Sequence, residues 1–122
     1  AFSYKITSLY KLPHGHAVAV GLPVIWEYMI ANMDKCIDQR GQVYLSDIFA
    51  EISEAMGCDN AEQVIEKFRM MMEEMELGSP VSENKEEDLK TLSISVNPVR
   101  LKNNPITLSS EAIYALYKMI IY

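Results

Sequence analysis

The spacing of apolar residues is the feature that most restricts the fold of this chain. Between residues 15 and 33, apolar side chains recur three or four positions apart, at Val18, Leu22, Ile25, Trp26, Met29 and Ile30. This spacing places them along one side of an α-helix, and we expect that side to face the core. No segment alternates apolar and polar residues over the length of a strand. The sequence therefore predicts an all-α fold.

Apolar spacing and capping residues predict further helices over 1–11, 46–56, 60–75, 85–94 and 109–120. Pro23 lies inside the second helix and should kink it or divide it into two, because proline lacks the N–H that would bond to residue 19. Gly57 should end the third helix. Asn60 and Gln63 have the spacing of a capping box at the start of the fourth. The remaining segments are predicted connections: 34–42, 77–82 and an extended loop over 97–108.

The length and charge of the chain restrict its class. A chain of 122 residues is long enough for one domain with one core. Its net charge of −6 argues against binding to nucleic acids or to anionic membrane surfaces. No apolar run reaches the ~20 residues that a membrane-spanning helix needs. Cys36 and Cys58 are not in a CxxC pair, so we interpret them as reduced thiols of a cytoplasmic protein, with a disulfide or a metal site as the alternative.

Few residues of the chain could carry out chemistry. The two histidines, His14 and His16, flank Gly15 in the sequence PHGH. Imidazole is the commonest metal ligand and titrates near neutral pH, but a catalytic metal needs three or more protein ligands. On these residues alone, a structural role in a turn is favoured for His14. The glutamates are expected on solvated helix faces, and the methionines Met70, Met71, Met72 and Met75 are expected to fill the core.

Three segments resemble the iron-containing alcohol dehydrogenase family. The sequence SLYKLPHGHAVAVGLPVIWEYMI is similar to the family segment that contains a Pro-His-Gly motif followed by a Leu-Pro pair. The sequence MELGSPVS followed by EEDL, and the closing sequence NNPITLSSEAIYALYKMI, also resemble family passages. The segments occur in family order and the resemblance extends over essentially all 122 residues.

The resemblance implies a fold and a metal ligand. Family members have an N-terminal α/β domain that binds NAD(P) and a C-terminal helical domain of the dehydroquinate synthase-like fold that holds one divalent metal, iron or zinc. The ligands are an Asp and three His, and the last is the histidine of the Pro-His-Gly motif, here His14. The other three would lie before Ala1. We therefore expect residues 1–122 to be an incomplete helical domain, separated from its nucleotide-binding domain.

The resemblance also suggests residues that would contact the substrate. Ten residues before the motif histidine, the family often has another histidine near the substrate, and here the residue is Tyr4. This departure, together with the PHGHA form that includes His16, resembles a subgroup associated with reduction of phosphonoacetaldehyde. Tyr4 and His16 are accordingly candidates for substrate contact or proton relay. Asn103 and Asn104 are candidates to line the cleft.

The function implied by the resemblance is hydride transfer between NAD(P) and a small aldehyde or alcohol, with the metal polarising the substrate oxygen. This chain by itself is expected to bind neither the metal nor the nucleotide and to be inactive, because it has one ligand of four and no glycine-rich nucleotide loop. A homo-oligomer is expected. The alternative is a non-catalytic helical interaction or regulatory module derived from the same domain.

Overall fold

The computed structural model describes residues 1–122 and contains helices joined by short connections, with no strand. The prediction of an all-α fold is therefore confirmed. A short 3₁₀ turn covers Met33–Lys35, and one isolated antiparallel bridge joins Cys36 to Ile106. The seven α-helices are α1 (Ser3–Tyr10), α2 (His14–Ala31), α3 (Gly41–Ala55), α4 (Ala61–Glu74), α5 (Lys85–Ser95), α6 (Pro98–Leu101) and α7 (Ser110–Ile121).

The main core lies between α1, α2, α5 and α7. It comprises thirteen buried residues, among them Ile6, Leu92 and Tyr117, which are fully enclosed. The Tyr117 ring stacks on Phe2 at a centroid distance of 4.6 Å, and its hydroxyl donates a hydrogen bond of 2.9 Å to the Phe2 carbonyl. Tyr117 of α7 thus fixes the position of the start of α1.

A second, smaller cluster attaches α3 and α4 to α2. Its buried members are Trp26, Val64 and Ile65, and the Trp26 ring lies 5.8 Å from that of Phe49. The Trp26 indole N–H is buried without a hydrogen-bond partner. The α3–α4 pair is therefore held mainly by apolar contacts to the far half of α2.

The caps on α4 and α7 follow the sequence signals closely. Asn60 accepts a hydrogen bond of 2.9 Å from the backbone N–H of Gln63, and Ser109 accepts one from Ala112. The Gln63 side chain bonds to the N–H of Asp59 and not to that of Asn60, so the reciprocal half of the capping box is displaced by one residue. Gly57 follows α3 with a φ of +69°, which confirms it as the helix stop.

Two predictions of secondary structure were wrong: the start of the third helix and the extended loop. Helix α3 begins at Gly41, five residues before the expected Ser46, because Asp38 closes a turn onto Arg40 and the buried Leu45 anchors the first turns. The predicted extended loop over 97–108 contains α6. The Asn97 side chain accepts hydrogen bonds from two of its backbone N–H groups, and Pro98 has the fixed φ that suits a first helical residue.

Helix α2 departs from prediction in two ways. It continues through Pro23 without being divided, and Pro23 itself is buried against neighbouring elements. Its core-facing side carries the small residues Ala17 and Val20, whereas Val18 and Leu22 are 40% and 37% exposed. The expected core stripe was therefore wrong over the first half of α2, where the larger apolar residues face away from the core.

The expectation that the three methionines of α4 and Met75, which follows it, all fill the core was also wrong. Met72 is buried, but Met70, Met71 and Met75 are exposed. Helix α4 packs with a single narrow face, made by Val64, Ile65, Phe68 and Met72, so only one of the four methionines points inward.

No helix has the length and hydropathy required to cross a membrane. Both cysteines are free thiols.

Candidate functional site

An open cleft of about 300 Å³ lies at the exposed side of α2. Three segments form its walls: residues 1–3 at the start of α1, one face of α2, and residues 100–108 at the end of α6 and in the loop that follows it. Eight of the thirteen lining residues are hydrophobic. This combination of an apolar wall and a few polar groups is typical of small-molecule sites.

His14 does not itself line the cleft, but it lies on the face of α2 that forms the cleft wall. Val18, Gly21, Leu22 and Ile25 line the cleft. They lie four, seven, eight and eleven positions after His14, which places all five residues on one face of the helix. The apolar spacing in this half of α2 therefore describes a cleft wall on the face that carries the predicted metal ligand.

His14 is exposed at the first residue of α2. Pro13 precedes it in an extended conformation, with a ψ of 142°, so the chain turns into the helix at the histidine. The Nδ1 atom lies 3.5 Å from the Thr7 hydroxyl, the long limit for a hydrogen bond, and Nε2 makes no hydrogen bond within the chain. A ring held through one nitrogen with the other nitrogen free is the usual arrangement of a metal-ligating histidine.

Tyr4 connects His14 to a cation. Its ring stacks on the His14 ring at a centroid distance of 5.7 Å, and the Arg100 guanidinium lies 4.6 Å from the centroid of the Tyr4 ring. The contact with Arg100 has cation–π geometry. The structure thus brings together Tyr4 from α1, His14 from α2 and Arg100 from α6.

Asn103 and Asn104 line the cleft from the loop after α6. The Asn104 amide donates a hydrogen bond of 2.6 Å to the Ile106 carbonyl. The loop is held in place where the Ile37 N–H donates to the Pro105 carbonyl and the Thr107 N–H to the Lys35 carbonyl. Both asparagines are therefore on a supported segment from which an amide can reach a ligand.

The structure does not bring His16 to the cleft. His16 lies about 200° around the axis of α2 from His14, at ~100° per residue. Its Nε2 atom is 2.7 Å from the Gly78 carbonyl oxygen, so the ring connects α2 to the turn after α4. This position suits a structural contact and lies away from the surface that His14 and Tyr4 share.

The chain does not contain a complete metal site. No group of three or more His, Cys, Asp or Glu side chains converges anywhere in the structure. The exposed His14 imidazole, with its unbonded nitrogen, fits a metal as one ligand, and no second ligand converges on it within the fold. Likewise, no glycine-rich turn is present to hold a pyrophosphate.

Sequence reasoning missed two polar residues of this region. Arg100 was overlooked because its segment was predicted as an extended loop, and nothing local distinguishes it from Lys102, the other cation between the two prolines. Thr7 was overlooked because a threonine on a short helix carries no distinctive pattern. Both contacts arise only when α1 packs beside α2 and α6.

Comparison with known proteins identifies the family of the chain. The sequence profile described as "Fe-containing alcohol dehydrogenase family, C-terminal" matches residues 1–121. Searches of curated proteins and of solved structures gave no match. The profile covers nearly the whole chain, and its helical character is that of the observed fold. The chain therefore belongs to the Fe-containing alcohol dehydrogenase family and corresponds to its C-terminal helical part.

Proposed function

We propose that this chain is part of a metal-dependent and NAD(P)-dependent alcohol dehydrogenase or aldehyde reductase. Within that enzyme it supplies His14 as one metal ligand and one wall of the substrate cleft. Residues 1–122 then form an incomplete helical domain, whose partner is an N-terminal nucleotide-binding domain. By itself the chain binds neither the metal nor the nucleotide tightly and does not transfer hydride.

One observation carries this proposal: the family's motif histidine is exposed on the same face of α2 that forms a wall of an open, largely apolar cleft. His14 is exposed and has one free ring nitrogen, and the residues at helical spacing after it form the cleft wall. His16 differs from it, because His16 is half-buried and its Nε2 atom is bonded within the fold, to the Gly78 carbonyl.

The bound metal would supply a Lewis acid that polarises the oxygen of a carbonyl substrate. The residues of this chain have separate tasks. The Thr7 hydroxyl orients the His14 ring, and Tyr4 stacks against that ring and limits the space beside it. Val18, Leu22 and Ile25 provide an apolar surface that excludes water from the reacting groups.

Two predictions from the sequence stay proposals. The phosphonoacetaldehyde-reductase-like subgroup rests on Tyr4 and on the PHGHA form of the motif. Assembly as a homo-oligomer rests on the apolar side chains that the chain exposes, such as Val43, Val81 and Ile94.

The test is to produce the polypeptide of the native gene and to measure its mass, its metal content and its oxidation of NADH and NADPH with small aldehydes. A polypeptide with additional N-terminal sequence, about one divalent metal per chain and aldehyde-dependent oxidation is the expected result. A polypeptide no longer than this chain, without metal and without turnover, would contradict the proposal and favour the non-catalytic helical module.

A further inference from the structure

We propose that Arg100 is a positioning residue of the metal centre: it holds the Tyr4 ring against His14 and thereby fixes the orientation of that imidazole. This inference rests on the proposed function, because it takes His14 as a metal ligand. It depends on three observations: the way in which Tyr4 is held, the support beneath Arg100, and the small number of contacts that restrain the His14 ring.

The Tyr4 side chain is held by its ring and not by its hydroxyl. The hydroxyls of Tyr10 and Tyr117 donate hydrogen bonds within the fold, whereas the Tyr4 hydroxyl donates none, and Tyr4 is 53% exposed. Its ring stacks on His14 at a centroid distance of 5.7 Å, and the Arg100 guanidinium lies 4.6 Å from its centroid. An exposed side chain changes rotamer rapidly unless a neighbour prevents it. The contact with Arg100 therefore restricts the rotamers open to this ring.

Arg100 stands on a supported backbone. It lies in α6, where the Asn97 side chain accepts a hydrogen bond of 3.2 Å from its backbone N–H. The next residue, Leu101, packs against the main core, and the loop that follows is tied to the chain before α3 by the bridge between Cys36 and Ile106. The base of the Arg100 side chain is therefore fixed, and its guanidinium extends from a defined position.

No other group within the fold holds the guanidinium. The chain has two ion pairs, and neither involves Arg100. The Ala1 amino group lines the same cleft but carries a like charge; burial, and then the nearby Arg100, lower its pKa. A guanidinium is planar and weakly hydrated, so it stacks readily on an aromatic face. The interaction that remains for this cation is the one with the Tyr4 ring.

The His14 ring has few other restraints. It is exposed, and its Nδ1 atom lies 3.5 Å from the Thr7 hydroxyl, the long limit for a hydrogen bond, so the stack with Tyr4 supplies much of its orientation. A metal ligand has to be held within about 10–20° of its bonding geometry. A ring that is free to rotate binds the metal more weakly, because its motion is lost on binding. Arg100 thus acts on the metal centre through Tyr4, without being a ligand.

The experiment measures the affinity for Co²⁺ by calorimetric titration of the complete, metal-free polypeptide and its variants. Arg100→Ala should weaken binding by about 2- to 5-fold, the equivalent of one exposed cation–π contact. Tyr4→Phe, which keeps the ring, should bind as wild type does. Tyr4→Leu should bind about 10-fold more weakly. Adding Arg100→Ala to Tyr4→Leu should cause no further loss, because Arg100 acts through the ring.

The charge of Arg100 and its positioning role predict opposite effects on this affinity. By charge alone, removal of a cation near the site would strengthen the binding of Co²⁺, and the gain would shrink as the salt concentration is raised from about 0.15 to 1 M. Weaker binding at both salt concentrations therefore reports lost positioning.

Arg40→Ala is the matched control. The Arg40 guanidinium lies 4.3 Å from the centroid of the Tyr44 ring, which makes a second exposed arginine–tyrosine contact, away from the cleft. Its loss should leave the affinity for Co²⁺ unchanged.

A second measurement does not require the metal. The His14 ring protons are identified in the NMR spectrum of the metal-free protein by their absence in His14→Gln, and the ring current of Tyr4 displaces their signals. Arg100→Ala should move these signals toward their positions in Tyr4→Leu, whereas Arg40→Ala should not move them.

The outcomes separate this inference from the function on which it rests. If wild type binds no metal, or His14→Gln retains it, the proposed function fails, and the NMR signals alone judge whether Arg100 positions His14. If His14 is required for metal binding but Arg100→Ala leaves the affinity unchanged or increases it, or leaves the His14 signals in place, the assignment of Arg100 is overturned while the dehydrogenase function stands.

Discussion

At the scale of single residues, the two histidines of the PHGH segment have different environments although they are two positions apart. His14 is exposed beside the cleft, where it touches Thr7 and Tyr4. His16 is half-buried on the other side of α2, with its ring 2.7 Å from the Gly78 carbonyl. Two residues correspond to about 200° around a helix, so the two rings lie on nearly opposite sides of α2. The His14 ring is on the side of the cleft, and the His16 ring contacts the turn after α4.

This difference predicts opposite effects of two alanine substitutions. In the complete enzyme, His14→Ala should remove most of the bound metal and leave the free energy of unfolding of the metal-free protein nearly unchanged. His16→Ala should retain the metal and lower that free energy by about 1 kcal/mol, the usual contribution of one hydrogen bond. Metal analysis and urea unfolding of the two variants provide the check. Full metal retention in His14→Ala would exclude it as a ligand.

Tyr10 provides a pH-dependent contribution to stability. Burial, together with the hydrogen bond of 2.9 Å that its hydroxyl donates to Asp88, raises the pKa of Tyr10 to about 12 from its ordinary value of 10.0. The protonated hydroxyl is favoured in the folded state, so the contribution is complete below pH 10 and is lost as the pH rises toward 12.

We therefore expect the stability advantage of wild type over Tyr10→Phe to be constant from pH 7 to 9 and to shrink from about pH 10 upward. Urea midpoints measured at intervals over that range provide the test. Burial also raises the pKa of Tyr117, so wild type and variant should both lose stability in alkali and only their difference reports on Tyr10. A difference that stays constant through pH 11 would contradict the assignment.

At the scale of elements, the ends of helices are defined by a few backbone positions. Gly57 follows α3 with a φ of +69°, a conformation in which a Cβ atom is strained. Gly15 lies in the first turn of α2 at an ordinary φ, and a Cβ atom added there would meet nothing within 4 Å. Alanine would therefore be strained at position 57 but would fit without strain at position 15.

Gly57→Ala should lower the free energy of unfolding by about 1 kcal/mol, because alanine is disfavoured in the left-handed region. Gly15→Ala should leave it unchanged or raise it by up to about 1 kcal/mol, because alanine is the better helix former. Thermal and urea denaturation of both variants distinguish the two cases. Equal destabilisation at both sites would mean that the helix stop at Gly57 has no energetic role.

At the scale of the whole molecule, the two buried clusters differ greatly in size. The main cluster has thirteen buried residues and joins α1, α2, α5, α7 and the end of α4 at Met72, whereas the second has three and attaches α3 and the start of α4 to α2. Local stability follows the number of buried apolar contacts, so regions with fewer contacts open more often. The cleft is built on the more stable part, since its walls come from α1, α2 and the segment after α6.

This division predicts an order of amide hydrogen exchange. Amides of α3 and α4 should exchange before those of α5 and α7, and Val64→Ala should accelerate exchange in α3 and α4 more than elsewhere. Leu92→Ala, in the main cluster, should lower the global free energy of unfolding by about 2–5 kcal/mol. Exchange measured by mass spectrometry on peptides from each helix tests both expectations. Uniform acceleration in both variants would show that the molecule unfolds as one unit.

The sequence by itself determined the helical class and most of the helix ends, and its resemblance to a family singled out His14 as the metal-ligand candidate. These properties depend on local chemistry: apolar residues at helical spacing, side-chain caps at Asn60 and Ser109, a glycine stop at position 57, and a Pro-His-Gly motif. Each of them acts over a few neighbouring residues, so each is visible in a linear sequence.

Only the tertiary structure decided which face of α2 is buried and which residues join His14. Ala17 and Val20 of α2 belong to the same buried cluster as Tyr117 and Ile120 of α7, whereas Val18 and Leu22 lie on the exposed side of α2 and line the cleft. The cation of the site comes from Arg100, which reaches Tyr4 only because α6 packs beside α1. Such contacts between distant segments depend on how complete helices fit together, and no local pattern specifies them.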